Sequence, residues 1–290
     1  MKTLVSIDGA IVPAEEAKIS IFDRGFLYGD SVFEVYRSYG DHRFLEREHL
    51  ERLERSAAIV GIELPAPLSL IAEEIAALHE AFGHGDAYLR LMITRGEGPL
   101  GIDPRAARSP RRVLFAAPLR LPPPALYQEG ASLITLSGAP PRSYTAAAGA
   151  KASNYLANLL AQREASERGA HEALFIDESG GILEGATSNL FIVHQGALHT
   201  PALESGILPG ITRAIVLELA RELGLEAREG RVDRALLKAA DEAFITSSVR
   251  ELLPVAAVDG EPIGSGQPGA ITRRLHSAYR QRIEDSRASP

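Results

Sequence analysis

Two short segments decide how this chain is interpreted: Gly149-Ala-Lys-Ala-Ser-Asn-Tyr-Leu156 and Leu183-Glu-Gly-Ala-Thr-Ser-Asn-Leu-Phe191. The first holds Lys151, one of only three lysines between Met1 and Glu184, although arginine is frequent there. A lysine among small and apolar residues can lose its proton on burial and attack a carbonyl to form a Schiff base. The second segment holds Glu184, an acid that a turn can direct into a cleft. Lys151 and Glu184 are therefore the candidate catalytic residues.

Each candidate also has a simpler interpretation. Glu184 is predicted on a turn between two strands, Ala173–Asp177 and Asn189–Val193, with Glu178–Gly181 forming the first reversal. Acids on loops are mostly solvated surface residues. Lys151, taken alone, is open to the same interpretation, so neither residue identifies a function without further patterns.

Six motifs in order, including those of Lys151 and Glu184, resemble those of the fold type IV pyridoxal-phosphate enzymes, which supports the functional interpretation. This family includes branched-chain aminotransferases, D-amino-acid aminotransferases, (R)-amine transaminases and aminodeoxychorismate lyases. The resemblance covers nearly the whole chain. The motifs are Asp23-Arg-Gly-Phe-Leu-Tyr-Gly-Asp-Ser-Val-Phe-Glu34, Glu48-His-Leu-Glu-Arg-Leu53, Lys151-Ala-Ser-Asn-Tyr-Leu156, Glu184-Gly-Ala-Thr-Ser-Asn-Leu-Phe191, Leu208-Pro-Gly-Ile-Thr-Arg213 and Phe244-Ile-Thr-Ser-Ser248.

Composition sets broad limits. The chain has 290 residues, of which 45% are hydrophobic and 24% charged, enough for one large or two moderate domains. It has no cysteine, which excludes disulfides and thiolate metal sites, and no metal is expected. A net charge of −7 argues against a nucleic-acid partner. We find neither a signal peptide nor a run of ~18 apolar residues, so a cytoplasmic protein with no membrane partner is expected.

The predicted elements form an α/β (α+β) protein of two domains. The resemblance implies a small N-terminal α/β domain and a larger C-terminal domain with a barrel-like sheet. Three consecutive prolines, ending at Pro124, mark a linker, so the predicted boundaries are 1–117, 118–129 and 130–290. Arg47–Val60 and Ala152–Arg168 are predicted helices.

The resemblance implies how pyridoxal 5′-phosphate would be held. Lys151 would carry it, Glu184 would face its pyridine nitrogen, and Tyr155 would support its ring. The phosphate would be bound by Arg52, the helix start at Ile211 and Thr212, and the strand end at Thr246 and Ser247. Simpler roles are surface ion pairing for Arg52 with Glu48, core packing for Tyr155, and capping by Thr212.

The same resemblance implies substrate-binding residues, which are Tyr28, Phe33, Arg37, Tyr88, Arg90 and Ser248. Tyr88 and Arg90 share one face of a strand, where a phenol and a guanidinium can bind a substrate carboxylate. Core packing and cross-strand ion pairing are the alternatives for these residues. D-amino-acid aminotransferases that are similar to this chain carry Arg-x-His where Leu100, Gly101 and Ile102 stand here, which weakens a D-amino-acid specificity.

The resemblance thus implies a transaminase that moves an amino group between a branched-chain L-amino acid and a 2-oxo acid such as 2-oxoglutarate. A D-amino-acid or (R)-amine transaminase is the alternative within that reaction class. Aminodeoxychorismate lyase is a different reaction class, for which the run Thr246–Pro254 is also suitable and in which Arg250 could meet a carboxylate. A scaffold without activity is disfavoured because Lys151 and Glu184 are both present. The resemblance further implies a homodimer.

Overall fold

A computed structural model describes residues 3–83, 85–137 and 147–288. It divides into two compact units, each treated separately here. The N-terminal unit comprises Met1–Arg120 and Ala150–Tyr155, and the C-terminal unit comprises Leu121–Gly149 and Leu156–Pro290. The segment that holds the candidate lysine therefore belongs to the N-terminal unit, although the residues on both sides of it belong to the other. The predicted boundaries divide the chain into consecutive ranges, so they do not include the return of residues 150–155 to the first unit.

The N-terminal unit is an antiparallel sheet with two long helices on one face. Its elements are β1 (Leu4–Ile7), β2 (Ala10–Pro13), α1 (Arg24–Tyr28), β3 (Ser31–Tyr39), β4 (His42–Arg43), α2 (Glu46–Val60), α3 (Leu68–Phe82), β5 (Ala87–Thr94) and β6 (Arg111–Pro118). The sheet order is β2-β1-β6-β5-β3-β4. Alternate residues of β3, Val32 and Tyr36 among them, join the core with α2 and α3. The opposite residues, Phe33, Val35 and Arg37, form the other face.

The C-terminal unit contains a closed ring of strands. Its elements are α4 (Pro124–Glu129), β7 (Ala131–Ser137), α5 (Leu156–Glu167), β8 (Glu172–Ile176), β9 (Gly181–Gly185), β10 (Asn189–His194), β11 (Ala197–Pro201), α6 (Ile211–Glu222), β12 (Ala227–Gly230), β13 (Val232–Asp233), α7 (Arg234–Lys238), β14 (Glu242–Ser247), β15 (Glu251–Val258), β16 (Glu261–Pro262) and α8 (Ala270–Ala288).

Six of these strands close on themselves in the order β10-β14-β15-β7-β8-β9, and the pair Asn189–Glu184 joins the last strand to the first. The expected barrel-like sheet of the larger domain is thereby confirmed. Leu133 and Leu174 face one apolar cluster, and their neighbours Ile134 and Phe175 face another that includes α5. Both sides of β7 and β8 are thus buried, which explains the consecutive apolar residues Leu133-Ile134 in β7 and Ala173-Leu-Phe-Ile176 in β8.

Two expectations about local structure are wrong. Glu184 lies inside β9, not on a turn, and only 2% of it is exposed. The helix predicted from Ala152 begins at Leu156, because the preceding residues pair with β3 instead. In α5 the leucine face points outward, whereas Asn158 and the alanines face the core. The small residues of the other face allow α5 to pack closely on β8.

The segment predicted as a linker contains α4, which starts at the last of the three prolines, where a missing N–H costs nothing. Among the described residues, none of the helices combines the length and apolar character needed to cross a bilayer.

Candidate active site

The backbone around Lys151 is fixed by pairing with the first residues of β3. The Phe33 amide donates to the Lys151 carbonyl at 2.9 Å, and the Ser153 amide donates to the Ser31 carbonyl at 2.9 Å. The Lys151 amide donates to Ser56 Oγ on α2 at 3.1 Å. The lysine is therefore presented from a non-helical segment, and Tyr155 precedes the first residue of α5.

Two aromatic rings lie near the Lys151 amine. Its Nζ lies 4.6 Å from the centroid of the Phe33 ring and 5.9 Å from that of Tyr155. The two rings meet edge to face at 5.1 Å. Ring faces attract a cation electrostatically, so these contacts help to hold the amine in place.

Arg52 belongs to a buried cluster on the face of the N-terminal sheet opposite to Phe33. Its guanidinium donates from Nε and from Nη2 to the Glu34 carboxylate, both at 2.7 Å. The Nδ1 atom of His49 lies 2.7 Å from the same carboxylate. The simpler role of Arg52, surface pairing with Glu48, is wrong because Arg52 is buried and bound to Glu34. Ser56, one helical turn beyond Arg52, holds the Lys151 backbone, so Arg52 points from the same helix that anchors the lysine segment.

The charges of this cluster are set by burial and by one another. Burial, the largest influence on Glu34, raises its pKa, but Arg52 and His49 outweigh it and hold the pKa at about 2. Burial also lowers the pKa of His49, with Glu34 opposing and Arg52 and Lys151 assisting. His49 is accordingly neutral near pH 7 and donates its Nδ1–H to a Glu34 carboxylate that is already paired with Arg52.

The proposed substrate residues of β3 and β5 lie on one sheet face. Arg37 is paired across the strands with Tyr88, and Val35 with Arg90, so these side chains project together. The Arg90 guanidinium lies 4.2 Å from the centroid of Phe33. Arg37 is buried, donates to Asp86 at 2.9 Å and stacks on Tyr39 at 4.2 Å. The structure thus places Phe33, Tyr88 and Arg90 together and gives Arg37 internal partners.

Tyr28 lies at the end of α1 and contacts a loop. Its hydroxyl accepts from the Gly101 amide at 3.0 Å, and its ring lies under the Arg24 guanidinium at 4.9 Å. Arg24 also donates to the Gly101 carbonyl at 2.8 Å. Leu100 and Ile102 of this loop are exposed. Tyr28 therefore holds the loop that carries apolar side chains where an Arg-x-His motif would stand.

In the C-terminal unit, three polar residues form a row across neighbouring strands. Glu184 on β9 is paired with Asn189 on β10, and Asn189 is paired with Thr246 on β14. Directly paired residues share a sheet face, so these three side chains project from one side of the ring. Glu184 and Thr246 are among the predicted site residues, whereas Asn189, which lies inside the Glu184–Phe191 motif, is not.

The Leu208–Arg213 motif lies against this row. The Leu208 amide donates to Glu184 Oε2 at 2.9 Å, and the Asn189 amide group donates to the Leu208 carbonyl at 3.0 Å. A side chain at Gly210 would collide with Asn189 Oδ1, so only glycine permits this approach. These contacts fix the start of α6 beside the Glu184 carboxylate.

The start of α6 has no side-chain cap. Gly210 is the N-cap and offers no side-chain cap, and Ile211 and Thr212 follow as the first helical residues. Capping by Thr212 is therefore wrong. Among the described residues, the buried hydroxyls of Thr212 and Thr246 have no hydrogen-bond partner. Two unpaired hydroxyls and uncapped amides favour an anion at this position.

The strand-end hydroxyls differ from one another. Thr246 and Ser247 are the last residues of β14, and Ser248 begins the turn that follows. Ser247 Oγ accepts from the Arg250 amide at 3.3 Å and from Arg250 Nε at 3.2 Å. Thr246 is thus available to a ligand, whereas Ser247 Oγ stabilises its own turn.

Comparison with known proteins gives a consistent picture. Residues 31–258 match the family model described as amino-transferase class IV. The chain is 36% identical to the branched-chain-amino-acid aminotransferase of Escherichia coli K12, over 94% of this chain and 90% of the relative. It is 34% identical to the D-alanine aminotransferase of Bacillus licheniformis, over 96% of each. It is 33% identical to the aminodeoxychorismate lyase of Bacillus subtilis 168, over 97% and 95%.

Solved structures agree with these relatives. The branched-chain aminotransferase of Escherichia coli superposes with a TM-score of 0.91 at 34% identity, covering 97% of this chain and 94% of that one. A second branched-chain aminotransferase, from T.th. and solved with N-(5′-phosphopyridoxyl)-L-glutamate, gives 0.89 at 33% identity, covering 98% and 94%.

Proposed function

Because the chain belongs to the class IV aminotransferase family, we propose that it moves an amino group between a branched-chain L-amino acid and a 2-oxo acid such as 2-oxoglutarate, using pyridoxal 5′-phosphate. The branched-chain specificity is supported by the similarity to enzymes of that name, one of them solved with a phosphopyridoxyl-glutamate.

The observation that carries the cofactor assignment is the pair of buried, unpartnered hydroxyls of Thr212 and Thr246 among the described residues. They accompany an uncapped helix start, where backbone amides and the helix dipole favour an anion. A phosphate monoester has the acceptor oxygens that such donors require. The residues present therefore fit a phosphorylated ligand, held by Ile211, Thr212 and Thr246, with Ser247 and Arg52 as further proposed ligands.

Lys151 and Glu184 would perform the acid–base chemistry. The Lys151 amine would hold the cofactor covalently and, once an amino donor has displaced it, would move a proton from the substrate Cα. The Glu184 carboxylate, fixed by the Leu208 amide, would hold a proton at the pyridine nitrogen. When bound, the cofactor supplies the electron sink for the carbanion. Tyr155, whose ring contacts Phe33, would support the cofactor ring.

Substrate selection would depend on the face shared by β3 and β5. Tyr88 and Arg90 provide a phenol and a guanidinium from alternate positions of one strand, which suits a substrate carboxylate. Phe33 offers an apolar surface beside them. Arg37 and Tyr28 would act by shaping this region, since both already have internal partners, and Ser248 would contribute from its turn.

The Bacillus subtilis relative favours one second candidate, a carbon–carbon lyase acting on aminodeoxychorismate. The same lysine and phosphate ligands would serve it. Release of pyruvate from that compound in the absence of any 2-oxo acid would identify a lyase, because a transaminase requires an amino acceptor to turn over.

The test of the proposed function is spectroscopic. Purified protein reconstituted with pyridoxal phosphate is mixed separately with L-leucine, D-alanine and (R)-1-phenylethylamine, and the visible absorbance of the cofactor is followed. Loss of this absorbance with L-leucine alone, and its return with 2-oxoglutarate, is expected. A response only to D-alanine or the amine would overturn the substrate assignment. No absorbance from bound cofactor would overturn the assignment as a pyridoxal-phosphate enzyme.

A homodimer and a cytoplasmic location complete the proposal. Support for the dimer comes from the outward face of α5, where Leu156, Leu159 and Leu160 are exposed. Three leucines at helical spacing form a contiguous apolar surface, which is typical of a protein–protein interface.

A further inference from the structure

Arg250 lies in the turn between β14 and β15 and makes several hydrogen bonds within the protein. These bonds differ from the contact with a substrate carboxylate that a lyase would require of it. Its Nη1 donates to Glu172 Oε2 at 2.7 Å, and its Nη2 donates to Thr187 Oγ1 at 2.7 Å. Its Nε donates to Ser247 Oγ within the same turn. The carboxylate that Arg250 meets is therefore one of the protein's own, and each nitrogen of the guanidinium is engaged.

Glu172, the first residue of β8, is fully buried. Its second oxygen, Oε1, accepts from both the amide and the hydroxyl of Thr187, the latter at 3.0 Å. A buried carboxylate is tolerated only when it is paired and its lone pairs are satisfied, and here Arg250 and Thr187 meet that need. The three residues form one bonded group, the Glu172–Thr187–Arg250 group.

This group joins two turns that carry proposed cofactor ligands. Thr187 lies in the turn between β9, which ends just after Glu184, and β10, which begins at Asn189. Arg250 lies in the turn that follows Thr246, Ser247 and Ser248. The guanidinium thus bridges the turn next to the nitrogen-binding acid and the turn next to the phosphate-binding hydroxyl.

The second turn is also held on its far side. The Tyr127 hydroxyl of α4 donates to the Arg250 carbonyl at 3.0 Å. Glu251 adopts a left-handed backbone conformation with φ of 59°, which is unfavourable for a residue other than glycine. Its buried carboxylate is bound by His276 at 2.8 Å and Arg280 at 2.6 Å of α8. These ion pairs fix the Glu251 side chain, so the surrounding structure maintains the strained backbone conformation.

We propose that Glu172 and Arg250 are positioning residues, which set the spacing between the turn after Glu184 and the turn at 246–250 so that both engage one phosphorylated cofactor and Ser248 of the second turn is placed to contribute to substrate binding. The proposal rests on the proposed function. It assigns Arg250 to the protein framework and not to direct substrate binding. Anion-binding hydroxyls and amides are effective only within a few tenths of an ångström, so a change in this spacing weakens binding before it alters the acid–base step.

The test measures binding and turnover in matched variants. Apoprotein of the wild type, R250Q, R250K, E172Q and the double variant E172Q/R250Q is titrated with pyridoxal phosphate. KM for 2-oxoglutarate and kcat are then measured at saturating cofactor. R282Q is the control, because Arg282 pairs with Glu222 on the surface of the same unit.

We expect R250Q and E172Q each to raise the dissociation constant of pyridoxal phosphate and KM about tenfold, with kcat reduced less than about threefold. The double variant should resemble either single variant, since residues that act as a unit do not give additive losses. R250K, which keeps the charge near Glu172 but lacks the guanidinium fork, should fall between. R282Q should match the wild type.

Unchanged binding and KM in R250Q, or a loss confined to the unfolding temperature of the apoprotein, would overturn the proposal. If R250Q does not fold, R250K and E172Q give the same decision. Failure of the wild type itself to bind pyridoxal phosphate would overturn the proposed function instead, so the two failures are distinguishable.

Discussion

Arg52 and Glu34 are joined by two parallel hydrogen bonds of 2.7 Å, from Nε and Nη2 of the guanidinium to the two carboxylate oxygens. Both residues are buried, and the carboxylate is shared with His49. A bidentate pair of this kind fixes the plane of the guanidinium as well as its position. We infer that Glu34 holds Arg52 in one orientation before any ligand arrives.

The first prediction concerns acid stability. The pKa of Glu34 is about 2 in the folded protein and 4.5 as its ordinary value. A lowered pKa gives stability that is present above pH 4.5 and is lost as the pH falls towards 2, on the order of 3 kcal/mol. Urea unfolding between about pH 7 and pH 2.5 should show this loss. E34Q should be less stable near pH 7, because the buried Arg52 loses its carboxylate partner, and should lose less on acidification. Equal acid sensitivity in both proteins would contradict the assignment.

The second prediction concerns Lys151. Replacing it with alanine should remove covalent attachment of pyridoxal phosphate and lower kcat by at least roughly a thousandfold, since no other amine is proposed for the proton transfer. The unfolding temperature should change little, because the segment is held by backbone bonds. Borohydride labelling followed by peptide mass measurement reports the attachment. K238A, which removes an exposed lysine of α7, is the control, and labelling that survives K151A would disprove the role.

The third prediction concerns Glu184. In E184Q the neutral side-chain amide cannot stabilise a protonated pyridine nitrogen. We therefore expect kcat to fall by roughly a hundredfold or more, while the dissociation constant of the cofactor rises only a few-fold. Stopped-flow measurement of the half-reaction with L-leucine, together with cofactor titration, separates the two effects. Near-normal turnover in E184Q would exclude Glu184 as the partner of the nitrogen.

The fourth prediction separates binding from folding at the phosphate site. T212V and T246V each remove a buried hydroxyl that has no partner among the described residues. The apoprotein should be unchanged or stabilised by up to about 1 kcal/mol, whereas pyridoxal phosphate should bind about tenfold more weakly. T200V gives the opposite control, because the Thr200 hydroxyl donates to the Leu190 carbonyl at 2.8 Å. It should be destabilised by about 1 kcal/mol and bind normally. Wild-type affinity in both site variants would place the phosphate elsewhere.

The fifth prediction concerns assembly. L159E places a charge in the centre of the exposed leucine face of α5 and should convert a dimer into a monomer, as measured by sedimentation velocity. L70E, at an exposed leucine of α3, should leave the assembly state unchanged. A wild-type protein that sediments as a monomer at micromolar concentration would refute the homodimer.

Patterns governed by local rules could be predicted from the sequence. The helix predicted at Arg47–Val60 and the shared strand face of Tyr88 and Arg90 are both as expected, because each depends on neighbouring residues alone. The cluster of Glu34 has a recognisable signal in the sequence. An acid between Val32 and Tyr36 on the apolar face of a strand requires a buried cation.

Features that depend on distant strands could not be predicted. The position of Glu184 inside β9 follows from pairing with β8, β10 and β13, which no local pattern specifies. The start of α5 at Leu156 follows from the bonds of Lys151 and Ser153 to β3, more than a hundred residues earlier. The role of Arg250 required Glu172 and Thr187 to be adjacent to it, which only the closed sheet brings about.

The parallel pairing of β7 with β15 has a consequence for synthesis on the ribosome. β7 emerges more than a hundred residues before its partner, so the ring cannot close until β15 has been synthesised. Contacts of such large sequence separation form slowly, and the apolar strands remain exposed meanwhile. We expect nascent chains stalled before Glu251 to be sensitive to protease and to bind chaperones, and to gain protection once β15 has left the exit tunnel.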